Sequence, residues 1–357
     1  MDKIIIGMSG GVDSAVAASI LIEKGFEVEA LFMKNWEEES EFCTSASDYR
    51  DALQVCEKLD IRLHSVNFAK EYWDRVFENF LEEHRKGRTP NPDILCNTEI
   101  KFKEFLNYAI DLGASKIATG HYVRTTNDGE KVILKKGLDK KKDQSYFLYG
   151  LNQSQISDSL FPLGELNKER VRLKAEKLGF YNYNKKDSVG ICFIGKRNFK
   201  DFIKRYLPYE PGSMKTIKGD YIGEHNGLMY YTIGQRKGLG IGGGFSKSLE
   251  PWYVVEKDLT NNELIVGQGR NNSALYHKYV NCSELHWISG LPPSAKNLKA
   301  KVRYRSKDLS CAIINLDENK ISLKFEQSCF GLTPGQSIVF YDKEICLGGA
   351  IIDSYHN

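Results

Sequence analysis

From residue 3 to residue 119 the chain alternates short apolar runs with segments whose apolar residues recur at helical spacing, and nothing else in it constrains the fold as strongly. Lys3 to Ile6 reads as a short buried strand, and Ser14 to Lys24 as a helix closed by Gly25, which accepts the positive φ of a helix C-terminus without a Cβ clash. Val28 to Met33 follows as a strand. Ser47 to Leu59 places Ala52, Val55, Cys56 and Leu59 on one helical face, and Leu63 to Val66 returns as a strand. Helices are predicted over about 72–85 and 102–112, the second ended by Gly113 and followed by a strand from Lys116 to Thr119. Strand and helix in turn imply an α/β domain whose parallel sheet is covered on both faces, with ligands bound beyond the carboxyl ends of the strands. Ser9 to Ser14 and Gly120 to His121 fall at such ends.

Beyond about residue 206 the texture changes: 17 of the 31 glycines lie in the last 152 residues, between short β-rich runs such as Trp252 to Val255 and Ile321 to Phe325. Close spacing of short strands predicts small barrels or sandwiches, and Pro292-Pro293 marks a boundary region inside this half. The expected organisation is a nucleotide-binding catalytic domain over 1–205, a small β-rich domain over 206–275 and a β-barrel over 276–357.

A net charge of +3 over 357 residues gives by itself no reason to expect a nucleic-acid partner. Segmenting it changes that reading. Residues 1–83 hold 8 basic and 18 acidic side chains, whereas residues 84–205 hold 25 and 14. The basic middle includes Lys135, Lys136, Lys140, Lys141 and Lys142, and a predicted helix carrying Lys168, Arg170, Arg172, Lys174 and Lys177. No apolar run approaches the ~20 residues that span a bilayer, and the Ile4 to Ile6 run is too short for a signal peptide, so a cytoplasmic protein is expected. The eight cysteines show no close pairs of the zinc-site kind, and no dedicated metal site is expected.

Gly7, Met8, Ser9, Gly10, Gly11, Val12, Asp13 and Ser14 join the first strand to the first helix. Adjacent glycines allow a tight turn with exposed N–H groups, and the helix N-terminus adds its positive dipole end, which makes an anion cradle. No Lys follows the glycines, so this is not a Walker A loop, and the string is not G-x-G-x-x-G. Ser-Gly-Gly-Val-Asp-Ser after an Ile-rich strand resembles the PP-loop of the ATP pyrophosphatase superfamily, which implies adenylation of a carbonyl oxygen with release of pyrophosphate.

Cys96 follows Asn91-Pro92-Asp93-Ile94-Leu95, a proline-stiffened loop leading into a helix, where a thiolate is stabilised. Cys192 lies in an apolar turn, Gly190-Ile191-Cys192-Phe193-Ile194-Gly195, behind Lys185 and Lys186, whose charge favours its thiolate too. Cys43, Cys56, Cys282, Cys311, Cys329 and Cys346 read as buried small hydrophobes. Together with the PP-loop, the two cysteine strings resemble those of the bacterial tRNA-specific 2-thiouridylases, the MnmA family. The likeness runs through nearly the whole chain, with Ala118-Thr119-Gly120-His121-Tyr122, Lys142-Asp143-Gln144, Gly234-Gln235-Arg236, Arg303-Tyr304 and Thr333-Pro334-Gly335-Gln336 all in place.

The resemblance implies ATP-dependent replacement of the 2-oxygen of a wobble uridine by sulfur. It implies that Gly7 to Ser14, Met33 and Gly120 bind ATP, with Mg2+ accompanying the polyphosphate. Cys192 would carry a persulfide from a sulfur-relay protein, and Cys96 would be its partner thiol, the pair ending as a disulfide. Asp93 is the candidate for proton transfer, and Asn91, Pro92 and Asp93 would touch the extruded base. His121, Lys142, Asp143, Gln144, Arg303, Tyr304 and Gln336 are the implied tRNA contacts, and a monomer is expected. Another PP-loop enzyme, a ligase or amidotransferase adenylating a small molecule, is the alternative; it has no use for paired thiols.

Overall fold

A computed structural model describes residues 2–37, 45–186, 199–242 and 250–357. Strands β1 (Lys3–Gly7), β2 (Glu27–Lys34), β3 (Leu63–Asn67) and β4 (Lys116–Ala118) are followed by an antiparallel hairpin, β5 (Val123–Asn127) and β6 (Val132–Lys136), and by a short β7 (Ser159–Leu160). Five of these form a parallel sheet in the order β3-β2-β1-β4-β7. The chain steps outward from β1 to β3 and then returns to β4 on the other side of β1. That reversal opens a crevice at the carboxyl ends of β1 and β4.

Both faces of the sheet are buried, which explains the unbroken Ile4-Ile5-Ile6 run. Ile4 and Ile6 pack with helices α1 (Val12–Glu23) and α2 (Ser45–Leu59), while Ile5 faces α3 (69–85) and α4 (92–111). Helices α5 (Gln153–Ser157), α6 (Lys168–Lys177) and α7 (Phe199–Ile203) follow, and α6 joins the layer of α1 through Val171 and Ala175.

The predicted helix over about 102–112 begins ten residues earlier. Asn91 caps it, its side chain accepting the Asp93 N–H at 3.2 Å, and Pro92 occupies the first turn. Residues Cys96–Glu104 are π-helical. The wider turn shifts the apolar spacing, and Cys96, Asn97 and Thr98 interrupt it, so periodicity hid this half of the helix.

The second sheet comprises β8 (Gly212–Thr216), β9 (Tyr221–His225), β10 (Trp252–Asp258) and β11 (Glu263–Gln268) in the order β10-β11-β8-β9. The last six strands, β12 (Tyr276–Trp287), β13 (Asn297–Lys301), β14 (Leu309–Leu316), β15 (Lys320–Phe330), β16 (Ser337–Asp342) and β17 (Ile345–His356), run in the order β12-β15-β14-β13-β16-β17. Pairing of β12 with β17 closes them into a barrel around Leu323, Phe325, Ile338, Phe340 and Ile352. Pro292-Pro293 lies in the connection between β12 and β13, two strands of the same barrel, and so separates no domains there. The β5/β6 hairpin of the first domain extends the barrel sheet, with Lys135 opposite Ile345. No helix among the described residues is long and apolar enough to cross a membrane.

Candidate active site

The glycine turn lies at the crevice between β1 and β4. Met8 N–H donates to Leu31 O at 2.9 Å, and Ser14 Oγ donates to Gly11 O at 3.1 Å while accepting the Ser9 N–H at 3.2 Å. Gly11 is the N-cap of α1 and provides no capping side chain, so the first N–H groups of the helix stay available to an anion. Gly10 holds φ of +72°, and a Cβ there would lie 2.3 Å from Asp48 O. Gly120 is equally confined: a Cβ would come within 3.0 Å of Ser14 N. Met33 lies beneath the turn, its Cε 3.4 Å from where a Gly7 Cβ would be, with Phe105 of α4 beside it at 3.3 Å. Glycines let the chain pack this closely, and the uncapped N–H groups at the start of α1 are chemically suited to an anion.

Asp13 is held from two sides. Lys168 Nζ donates to Oδ1 at 2.8 Å and to Oδ2 at 2.7 Å, and Tyr122 OH donates to Oδ1 at 2.7 Å. Lys168, expected on a phosphate-facing surface, is instead buried against the glycine turn, and its partner lies 155 positions away in sequence. No local pattern signals such a pair.

A second fastening reaches Gly10 from the far side. Asn182 Nδ2 donates to Gly10 O at 3.1 Å and Lys185 Nζ at 3.3 Å, and Lys185 also binds Asp48 at 2.9 Å and Asp51. Burial pulls the Lys185 ammonium down, but its hydrogen bonds to Asp51 and Asp48 outweigh that and hold it charged. Lys185, expected to favour the Cys192 thiolate, is engaged by these carboxylates. Cys192 itself, like Cys43, lies outside the described residues.

Cys96 sits one turn inside α4, buried at 3% exposure, where the dipole of the helix N-terminus has faded. Its place inside the helix corrects the loop position expected for it. Asp93, three residues before it, lies on the same side of the helix, and Asn97 follows it one residue on. Burial pushes the Asp93 carboxyl up, with Lys101 opposing. Asn97 donates Nδ2 to Phe147 O at 3.2 Å, and its buried Oδ1 has no partner among the described residues. Burial pushes the thiols of Cys56, Cys311 and Cys329 up to about 12 and those of Cys282 and Cys346 higher still, in keeping with inert core residues.

The implied tRNA contacts separate by environment. His121 is buried, bonded to Thr119 Oγ1 at 2.8 Å, and burial drives its imidazole well below its ordinary value, so it presents no cation to a phosphate. Asp143 accepts the Gly137 and Ser145 N–H groups at 3.1 Å each and faces Lys301 of the barrel at 3.4 Å. Gln144 Oε1 accepts the Tyr122 N–H at 2.9 Å. Arg303 Nη2 donates to Ile233 O at 2.6 Å, Gly331 O at 2.8 Å and Thr333 Oγ1 at 3.0 Å, tying the barrel to the middle domain. His121 and Asp143 are buried, whereas Lys142, Gln144, Arg303, Tyr304 and Gln336 keep partial exposure. The Tyr304 ring packs 4.4 Å from Phe147 with Arg305 5.0 Å above it.

An anion cradle at the switch point of a parallel sheet, followed by a small sheet and a closed barrel, defines a nucleotide-dependent enzyme with accessory β domains. Three family models match in series: the tRNA methyl transferase HUP domain over residues 2–196, the tRNA methyl transferase PRC-barrel domain over 200–268 and the aminomethyltransferase beta-barrel domain over 277–352. The chain is 57% identical over 355 residues to the tRNA-specific 2-thiouridylase MnmA of Salmonella arizonae, covering 98% of this chain and 96% of that one. It is 56% identical over 356 residues to that of Histophilus somni, covering 98% and 93%, and 55% identical over 355 residues to that of Pseudomonas putida, covering 99% and 95%. The chain belongs to the tRNA-specific 2-thiouridylase (MnmA) family.

Proposed function

We propose that this chain catalyses ATP-dependent 2-thiolation of the wobble uridine of tRNA. The observation that carries the reading is the double use of the glycine turn. Its inner face is an empty-sided anion cradle, and its Gly10 carbonyl anchors Asn182 and Lys185, which lead directly into the segment bearing Cys192. Helix α4 links the same place to the second thiol: Phe105 lies beneath Gly7, and Cys96 is nine residues back along the same helix.

In this reading Gly7 to Ser14, Met33 and Gly120 hold ATP while the uridine 2-oxygen attacks the α-phosphorus and pyrophosphate leaves. A magnesium ion bound with the polyphosphate at the glycine turn would supply neutralisation of the phosphate charge. The oxygen then leaves as part of AMP, which lowers a barrier that an amide-like oxygen would otherwise impose. Sulfur comes from a Cys192 persulfide delivered by a relay protein. In one route its terminal sulfur attacks C2, and the Cys96 thiolate then breaks the remaining sulfur–sulfur bond. In the other, Cys96 first releases sulfide, which attacks C2. Both end with thiouridine and a Cys96–Cys192 disulfide that an external thiol reduces. Asp93, with its raised carboxyl, moves the proton, and Asn91 and Pro92 flank the extruded base. Lys142, Tyr304 and Gln336 touch the RNA, and His121, Asp143, Gln144 and Arg303 position the groups around them.

The test is incubation with ATP, magnesium, a persulfide donor and unmodified tRNA, followed by mass spectrometry of the digested nucleosides. 2-Thiouridine is expected; its absence from protein that binds both ATP and tRNA overturns the reading.

A further inference from the structure

The connection from α3 to α4 carries no secondary structure, yet it is held at almost every residue. Thr89 N–H donates to Pro334 O at 2.9 Å, Gln336 Nε2 donates to Thr89 O at 2.7 Å, and Thr89 Oγ1 lies 3.4 Å from Thr232 Oγ1 of the middle domain. Both backbone polar groups of Thr89 are therefore taken by the barrel. Gly335 lies flat between these two bonds with φ of +88°, and a Cβ there would come 2.8 Å from Thr89 N and 2.9 Å from Arg88 Cβ. Arg88 adds bonds to Asp353 Oδ1 at 3.2 Å and Ile352 O at 3.4 Å. The turn that grips is itself fixed in the barrel, since Gly335 N–H donates to Ile352 O and Ile352 N–H to Gln336 O, both at 2.9 Å.

The grip reaches the thiol because the intervening chain is stiff. Pro90 and Pro92 fix their own φ and restrict Thr89 and Asn91 before them, so few torsions remain to absorb a displacement. Asn91 caps α4, and the first turn of α4 carries Asp93 and leads to Cys96. At its other end Gln336 has an Oε1 that no protein donor takes among the described residues, and the residue is only partly buried.

We infer that Gln336 is a positioning residue for Cys96: its Nε2 and the Gly335 turn hold Thr89, and through Pro90 to Pro92 they set the buried position of the Cys96 thiol. The inference rests on the thiolation reading above, in which Gln336 Oε1 faces RNA. Docking of tRNA on the barrel and placement of the thiol then meet in one side chain.

Two variants separate this role from RNA contact. Gln336→Glu keeps the length and the acceptor oxygens but removes the N–H that holds Thr89. Gly335→Ala forces Thr89 away and alters no group that could meet RNA. Iodoacetamide labelling of Cys96 in RNA-free protein, read by peptide mass spectrometry, is expected to run about fivefold faster in both, because a local opening exposes a thiol that is otherwise closed. At saturating tRNA the thiolation kcat is expected to fall about tenfold, with KM for tRNA held within about twofold in Gly335→Ala. Unchanged Cys96 labelling in both variants overturns the inference, as does faster labelling that extends equally to core Cys346. Wild-type protein runs in the same assay. If it makes no thiouridine, the functional reading fails on its own, while the labelling rates still decide whether the barrel places Cys96.

Discussion

Lys168 meets both carboxylate oxygens of Asp13, at 2.8 and 2.7 Å, and thereby ties the first residue of α6 to the first turn of α1 at the nucleotide cradle. The pair sets a cation against the only acidic side chain of the glycine turn, so an incoming polyphosphate meets less repulsion. Lys168→Met is expected to raise KM for ATP and slow ATP–pyrophosphate exchange by roughly tenfold, a loss of about 1.4 kcal/mol. Lys168→Arg, which keeps the charge, recovers part of this. Exchange rates with unchanged KM in Lys168→Met would show that Asp13 needs no partner.

The two cysteines are expected to behave as one unit. Cys96→Ala and Cys192→Ala are each expected to lower thiouridine formation by at least roughly 100-fold, with the double variant no worse than the poorer single, because in the proposed mechanism both thiols serve one sulfur transfer. Binding of ATP and tRNA by filter assay should be retained. Activity surviving in Cys192→Ala would remove it as the sulfur carrier.

Asp93 provides a pH signature. Burial raises its folded-state pKa above the unfolded value near 3.8, so the stability it contributes is present below that value and is lost as pH rises through the folded pKa. Asp93→Asn removes the cost of burying the charge. Its Tm is expected to exceed that of the wild type at pH 7, with the advantage shrinking toward pH 4, while thiolation drops. Equal melting temperatures at pH 7 would show that the carboxylate is solvated or paired there.

Arg303 and His121 are testable through salt. A phosphate contact adds about 0.7–0.9 to the slope of log K against log salt. Because Arg303 is bound to two carbonyls and Thr333 Oγ1, and His121 is neutral, Arg303→Met and His121→Gln should leave the slope of tRNA binding unchanged. Arg303→Met should instead destabilise the protein to urea by about 3 kcal/mol, since the carbonyls lose a buried donor. A slope reduced by one phosphate in either variant would restore it as an RNA contact.

The parallel sheet and its cradle were legible because their signals are local: Ile4 to Ile6 is buried on both faces, and Gly10 and Gly11 must lie where a strand becomes a helix. The start of α4 was not legible, since the polar Asn97 occupies a buried position, the polar Thr98 follows it, and the π-helical stretch changes the period. The motif residues announced a site but not what each side chain does in it. Asp143, Gln144 and Arg303 stand in strings that mark tRNA contact by family likeness, and in the structure all three are engaged by backbone partners, with Gln144 and Arg303 still partly exposed. Lys168 with Asp13, Asn182 with Gly10 and Gln336 with Thr89 pair across 155, 172 and 247 positions, separations at which spacing rules have no reach.

The hairpin that the first domain lends to the barrel also sets a schedule for synthesis. Lys135 finds its strand partner at Ile345, and Thr89 finds its clasp at Pro334 and Gln336. At about 5–20 residues per second, the ribosome adds the chain between Lys135 and Ile345 in roughly 10–40 s. The helix that carries Cys96 thus gains the clasp on the chain before it only after Pro334 and Gln336 have been made and the barrel has closed around them.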